Sequence, residues 1–266
     1  NEGVDMDTSG SVEDYAGNTT SVSYTGINID LTTPTIAVAS LTDSTGSDTS
    51  GNDWWNVSVT VAYSVSDTLS GVDSNAGGFE ADVLSNEGVD LAADGGVADQ
   101  AGNTAAVGVT GINIDLTEPL ISTADVTDSS GVDPQSNSWW NTPVTVTYTV
   151  SDTLSGVNVA AGGYEDDILP NEGTDMVTTG SVADYAGNNS SASFTGVNVD
   201  RTGPQISIAS VTDSTGRGPD GRSWWNLAVR VAYNVSDTLS GVNTAAGGFE
   251  DDVLPNEGQN LDVSGG

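Results

Sequence analysis

Aspartates at recurring places are the residues whose chemistry stands out in this sequence. They lie in three short motifs: I-N-I-D-L-T-x-P and its variants, S-D-T-L-S-G, and D-x-A-G-N. Grouped carboxylates bind a hard divalent cation, and a carboxylate pair can also perform acid–base catalysis. The chain has no His, Cys or Lys. The usual nucleophile–base arrangements and thiol- or imidazole-bound metal sites are therefore excluded.

The motifs recur with a constant period of 85 residues, which separates Trp54, Trp139 and Trp224. The tripeptide N-E-G keeps the same spacing through four copies. A period of domain size predicts an array of similar domains. We interpret the chain as a window from a longer array. The predicted domains are the C-terminal part of one repeat, two whole repeats and the N-terminal part of another, at residues 1–30, 31–115, 116–200 and 201–266.

The charge balance limits the classes of partner. Thirty-eight acidic residues face four arginines, giving a net charge of −34. Nucleic acid is excluded because its phosphate backbone requires a basic surface. Repulsion on this scale destabilises compact domains, so bound cations or high salt must offset it. No run of about 20 apolar residues is present, so no membrane span is expected.

The apolar residues follow the pattern of β-strands. From Val57 to Val65 every second residue is Val or Tyr, and the residues between them are Ser, Thr or Ala. Seven short strands per repeat, frequent turn signals and no helical periodicity predict an all-β antiparallel sandwich. One Trp of each W-W pair is expected in the core. A half-buried lid is expected for the other, with carbohydrate stacking as the alternative.

Two strands depart from this alternation. Ile36, Val38 and Leu41 break the period of two, which predicts a kinked first strand that switches sheets. In the last strand of the opening part the alternation changes phase at Gly26, which predicts a β-bulge with a glycine at positive φ. The loop 128–138 and its counterparts vary most between repeats, as surface loops do.

The combined pattern is specific for a class of repeat. It reads W-W-N-x-x-V-x-V-x-Y-x-V-S-D-T-L-S-G-V, then V-A-D-x-A-G-N, then I-D-L-T-x-P. It resembles the immunoglobulin-like repeats of large bacterial and archaeal surface adhesins, stalks and extracellular filaments, and the resemblance covers the whole chain. It implies tandem seven-stranded antiparallel immunoglobulin-like β-sandwiches, an extracellular or cell-surface location, and calcium at the domain junctions.

The sandwich topology brings three motifs to each junction. The chain leaves one sandwich at the end that meets two loops of the next: the B–C loop, which begins S-D-T-L-S-G, and the F–G loop, which contains D-x-A-G-N. One aspartate from the chain exit and one from each loop are therefore expected to converge there. The aspartate of the opening part and the incomplete last set are also candidate ligands. The candidates are Asp14; Asp30, Asp67 and Asp99; Asp115, Asp152 and Asp184; and Asp200 and Asp237.

Calcium is the cation that these ligands favour. Unit charges about 4 Å apart repel by roughly 4 kcal/mol at a surface-like dielectric, and no recurring basic residue is near. Calcium accepts flexible loops with mixed oxygen ligands, whereas magnesium requires stricter octahedral geometry. The alternative is that each aspartate only forms a turn. At the third junction Arg201 replaces a leucine and can pair with Asp200. This junction is then expected either to bind its ion less tightly or to use Arg201 as a bridge.

A second acidic set is interpreted mainly as a solvated strand, with an ion site inside the domain as the alternative. It comprises Glu80, Asp82, Glu87, Glu165, Asp166, Asp167 and Glu172.

The expected function is a non-enzymatic extracellular stalk, because the acidic motifs recur in every repeat, which catalysis does not require. The partners are neighbouring repeats of the same chain, with lateral copies in a bundle left open. The alternatives are an adhesive or carbohydrate-binding array and a salt-adapted surface protein without specific metal sites.

Overall fold

The computed structural model of the chain describes residues 1–44, 53–128, 138–218 and 224–255. Across these ranges every regular element is a β-strand and there is no helix, so the all-β prediction is confirmed. The variable loop 128–138 lies mostly outside the described residues. The strands are β1 Gly3–Glu13, β2 Thr19–Ile29, β3 Thr35–Asp43, β4 Trp54–Trp55, β5 Val59–Ser66, β6 Asp82–Leu84, β7 Gly88–Ala98, β8 Thr104–Ile114, β9 Leu120–Asp128, β10 Trp139–Trp140, β11 Val144–Ser151, β12 Asp167–Leu169, β13 Gly173–Ala183, β14 Asn189–Val199, β15 Gln205–Asp213, β16 Val229–Ser236 and β17 Asp252–Leu254.

The chain divides into two compact units. These two units do not test the predicted repeat boundaries after residues 30, 115 and 200, which stay a prediction. Among the described residues there is no helix long and apolar enough to cross a membrane. Unit 1 comprises Asn1–Ile121, Val150–Gly163 and Ser181–Ser190, and unit 2 comprises Ser122–Thr149, Tyr164–Gly180 and Ser191–Gly266.

Unit 1 contains a two-stranded sheet and two three-stranded sheets. The two-stranded sheet is the β1–β2 hairpin, and the others have the orders β3-β5-β6 and β4-β8-β7. One hydrophobic cluster joins the two larger sheets, because Val59 and Val61 of β5 pack with Ile112 and Ile114 of β8. Full burial of such side chains contributes about 1.5–3 kcal/mol each.

The tryptophan strand β4 fixes the end of β8. It runs parallel to β8, with Trp55 beside Ile114. The N–H of Asp115 donates to the carbonyl oxygen of Trp55 at 2.8 Å. Trp55 and Trp140 are 6% and 5% exposed, so the expected burial of one Trp per pair is confirmed for these two pairs. Asp115 therefore directly follows a buried strand end, and its backbone is held there by a hydrogen bond to Trp55.

Unit 2 repeats this arrangement. Val144 and Val146 of β11 pack with Val197 and Val199 of β14, under Trp140. A further sheet has the order β15-β16-β17. The alternation of apolar and polar residues therefore produces the same core in both units.

The irregular strands are bulged. Strand β3 pairs with β5 from Thr35 to Asp43, with a register shift between Val38 and Ser40. The predicted sheet switch is therefore wrong: the extra residue is absorbed within one ladder. The bulge predicted at Gly26 is confirmed, since the β1–β2 register shifts there and Gly26 has φ 78°.

A tyrosine ring covers one glycine of β7. A Cβ on Gly95 would lie 2.8 Å from the Tyr63 ring, and Gly180 faces Tyr148 in the same way. The Tyr63 hydroxyl donates to Asp82 at 2.7 Å. The corresponding Gly10 of the β1–β2 hairpin has nothing within 4 Å of such a Cβ. Glycine is therefore sterically required at positions 95 and 180, where the ring is present.

Candidate metal centre

Three loops of unit 1 bring three aspartates together, and this happens twice. In each set one carboxylate oxygen of every aspartate lies within 4.8 Å of those of the other two. We name Asp30, Asp67 and Asp99 the first triad, and Asp115, Asp152 and Asp184 the second triad. The convergence follows the spacing of the sequence motifs, whereas the role of these residues as metal ligands stays a prediction.

Each triad member directly follows a strand. Asp30 and Asp115 follow β2 and β8, and we call them, with Asp200, the linker aspartates. Asp67 follows β5 and Asp99 follows β7, and Asp152 and Asp184 follow β11 and β13. Asp99, Asp115 and Asp184 are at most 1% exposed. Strand ends hold these carboxylates in fixed positions.

The remaining candidate residues do not complete a triad. Asp200 accepts a hydrogen bond from the N–H of Ser240 at 2.9 Å, three residues after Asp237. No third carboxylate joins Asp200 and Asp237 within the described ranges. Asp14 is exposed, and it accepts hydrogen bonds within its own turn, from Ala16 and Asn18.

The linker aspartates are oriented through both oxygens. Oδ1 of Asp115 accepts from the N–H of Thr117 at 3.0 Å, and Oδ2 accepts from the N–H of Ser155 at 2.9 Å. Asp30 makes the same pair of bonds, to Thr32 and Ser70. Each carboxylate oxygen accepts more than one bond. The Oδ2 atom can therefore hold the Ser N–H and still bind a cation.

The loop aspartates also form turns. Oδ1 of Asp152 accepts from the N–H groups of Leu154 and Gly156, at 3.1 and 2.6 Å. Asp67 does the same with Leu69 and Gly71. Oδ2 of Asp67 and Asp152 accepts no hydrogen bond from the part of the chain that the structure describes. Turn formation, the alternative to metal binding, therefore occupies one oxygen and leaves the other for a ligand role.

An asparagine holds each linker against the triad. Nδ2 of Asn188 donates to the carbonyl oxygens of Asp115 and Thr117, at 2.9 and 3.2 Å, and to Oδ2 of Asp184 at 2.7 Å. Asn103 donates likewise to Asp30 and Asp99. Sequence reasoning did not assign this role. The invariable last position of D-x-A-G-N was the signal that could have revealed it.

The triads concentrate negative charge without a basic side chain. The only salt bridge among the described residues joins Arg230 and Asp251, which belong to neither triad. The Ser70 hydroxyl lies near the carboxylate of Asp30 without completing a hydrogen bond, and the Ser70 N–H donates to it at 2.8 Å. Both hold the pKa of Asp30 below its usual value, so this carboxylate is charged at neutral pH. That hydroxyl oxygen and its Ser155 counterpart are fully buried, yet make no hydrogen bond of proper distance and angle.

Arg201 does not pair with Asp200. Its guanidinium donates to the carbonyl oxygen of Pro170 at 2.7 Å, so the expected ion pair is wrong. The carboxylate of Asp200 stays free of a guanidinium.

The second acidic set has structural partners. Asp82 and Asp167 accept from the hydroxyls of Tyr63 and Tyr148. Glu80 accepts from the N–H of Gly78 in its own loop. None of this set belongs to a group of three carboxylates that could hold a metal in the described ranges. The ion site inside the domain therefore has no support.

A cavity of about 340 Å³ opens beside the first triad. Asp30, Leu69, Ser70 and Gln100 contribute to its lining. A site for a cation needs an entry path as well as ligands. The cavity provides such a path to Asp30.

Comparison with known proteins gives little. No protein-family model and no curated protein matches the chain. One similar solved structure is described as a Ca²⁺-stabilised adhesin that helps an Antarctic bacterium reach out and bind ice. It is 15% identical, with a TM-score of 0.29, and the match covers 95% of this chain and 71% of that one. A TM-score this low says nothing about what this chain binds.

Proposed function

We propose that this chain is a structural module of an extracellular or cell-surface protein, built from tandem seven-stranded immunoglobulin-like sandwiches. In this proposal each triad binds Ca²⁺ where one repeat follows another, and the bound ion stiffens the junction. The neighbouring repeats of the same chain are the partners of each repeat, and lateral copies are a further proposed contact.

One observation carries the proposal: three carboxylates from three separate loops lie within 4.8 Å of one another, twice, with the same spacing in sequence. A linker aspartate supplies one ligand and two loops supply the others. A bound ion would therefore tie the linker to both loops. Because no basic residue of the described ranges forms an ion pair with either triad, a divalent cation would relieve repulsion of several kcal/mol per carboxylate pair at about 4 Å.

Calcium is the proposed ion because of the donor set. The ligands are carboxylate oxygens on loops, with carbonyl oxygens of Asp30 and Asp115 nearby. Calcium takes six to eight oxygen ligands in flexible geometry. Calcium sites in extracellular modules typically have dissociation constants of about 10⁻⁴ to 10⁻³ M. Millimolar calcium would then stabilise each junction by mass action.

The test compares ions at matched ionic strength. Thermal unfolding is measured in sodium chloride alone, and with millimolar calcium or magnesium. We expect calcium to raise the Tm beyond sodium at equal ionic strength, and magnesium to raise it less. Equal Tm values in all three solutions would favour the salt-adapted alternative. Binding of oligosaccharides that quenches tryptophan fluorescence would favour the adhesive array.

A further inference from the structure

In the three N-E-G motifs that the structure describes, the glutamate contacts the linker that follows the next pair of strands. Oε2 of Glu87 accepts from the N–H of Leu116 at 3.3 Å and from the hydroxyl of Thr117 at 2.9 Å. Glu2 makes the same contacts with Leu31 and Thr32, and Glu172 with Arg201 and Thr202. A contact found in three repeats belongs to the architecture of the linker.

Strand register produces this contact. Gly88 pairs with Ile114, so Glu87, just before β7, lies opposite the end of β8. Gly3 pairs with Ile29 in the same way and places Glu2 beside Asp30. The glutamate therefore holds the residues that follow the linker aspartate against the preceding sheet.

A chain of hydrogen bonds leads from the glutamate to the triad. Thr117 donates its hydroxyl to Glu87 and its N–H to Oδ1 of Asp115, at 2.9 and 3.0 Å. Glu87 fixes the threonine, and the threonine fixes one oxygen of the linker aspartate. The other oxygen, Oδ2, accepts from Ser155. The glutamate carboxylate itself is not a member of the triad.

We propose that Glu87 and its counterpart Glu2 are positioning residues for the cation sites at the second and first triads, and this inference rests on the proposed function. Without the glutamate, Thr117 can leave Asp115, and the ion has to order the linker when it binds. Ordering the linker costs conformational entropy, and this cost lowers the affinity for the ion. Residues that orient metal ligands typically change metal affinity by about 10–100-fold when removed.

The experiment follows calcium titration by NMR in the full chain. The Ser155 amide reports the second triad and the Ser70 amide reports the first triad, because each N–H is bonded to its linker aspartate. We expect Glu87→Ala to weaken calcium binding at Ser155 by about tenfold while leaving the Ser70 titration unchanged. Glu2→Ala should do the reverse.

Two further variants separate positioning from charge. Glu87→Gln keeps an oxygen that accepts from Thr117, so it should bind calcium nearly as tightly as the parent chain. Glu80→Ala removes an equal charge from a residue that bonds only its own loop, and it should also bind normally. The proposal is overturned if Glu87→Ala matches Glu80→Ala. It is also overturned if Glu87→Gln falls as far as Glu87→Ala, since the carboxylate would then act by its charge. If neither amide of the parent chain responds to calcium, the proposed function itself fails.

Discussion

Single aspartates in this chain have two tasks at once. One oxygen of Asp152 closes a turn, and the other is left for the triad. The recurring motifs led us to expect that these six aspartates would meet in two sets of three, whereas their role as metal ligands stays a prediction. The sequence did not predict the roles of Asn188 and Glu87. Their contacts depend on strand register and on residues about 29 to 73 positions away, which no local pattern reveals.

Ionisation of Tyr63 lowers the free energy of unfolding at alkaline pH. Burial, together with the hydrogen bond to Asp82, raises the pKa of Tyr63 to about 12 from its ordinary 10.0. The protonated form is the one favoured by folding. Its contribution is therefore complete below about pH 10 and is lost as the pH rises through about 12. We expect Tyr63→Phe to lower stability by about 1 kcal/mol at neutral pH, through the lost hydrogen bond, and to flatten the decline between pH 10 and 12.

The measurement is Tm against pH for both chains. Tyr24 is 67% exposed, so Tyr24→Phe is the matched control and should follow the parent curve. Parallel curves for Tyr63→Phe and the parent chain across pH 10–12 would contradict the assignment.

At the scale of strands, the alternation of apolar and polar residues predicted where the main strands lie. It identified β5 and its copies because Val59 and Val61 alternate with small polar residues. It failed for β3, where a change of phase is compatible with a bulge or with a change of sheet. Only the register with β5 decides between them, and that register depends on the partner strand. The slot for Tyr63 over Gly95 was also hidden, because the two residues lie on different sheets.

The steric need for glycine under the tyrosine ring can be tested by the same substitution, Gly to Ala, at the equivalent positions 95 and 10. In Gly95→Ala the new Cβ would lie 2.8 Å from the Tyr63 ring, which has to move. We expect a loss of about 1–3 kcal/mol, typical of overpacking in a filled core. Gly10→Ala is the matched control because nothing lies within 4 Å of its Cβ. Chemical denaturation followed by tryptophan fluorescence measures both, and equal midpoints would refute steric contact as the reason for the glycine.

At the scale of the whole molecule, charge sets the conditions under which the chain is stable. A net charge of −34 on 266 residues opposes compaction throughout the chain. Screening by salt weakens this repulsion between exposed groups, but it acts less on the buried Asp99, Asp115 and Asp184. Cations bound at the triads would act where dissolved salt cannot.

The variant Asp115→Asn tests whether the second triad contributes to the junction without contributing to the folding of each core. The amide keeps an oxygen for the Thr117 N–H but removes one charge from the second triad. We expect calcium binding there to weaken by at least about tenfold, with each core intact. Small-angle scattering of the parent chain should change on chelation, whereas the variant should already give the chelated profile.

Asp175→Asn is the matched control for this charge change. Asp175 is exposed, has φ 50° and lies outside both triads. Asparagine tolerates this backbone conformation well. The proposed junction would be contradicted if chelation left the scattering profile of the parent chain unchanged. It would also be contradicted if the Asp175→Asn variant behaved like Asp115→Asn.

The two triads have the same internal spacing, one period of 85 residues apart. Insertion or deletion of one whole period therefore keeps three aspartates at the spacing of a triad. The glutamate and asparagine that hold the linker recur with the same period and are kept with them. A chain of this kind can gain or lose whole periods while every set of ligands proposed for calcium stays complete.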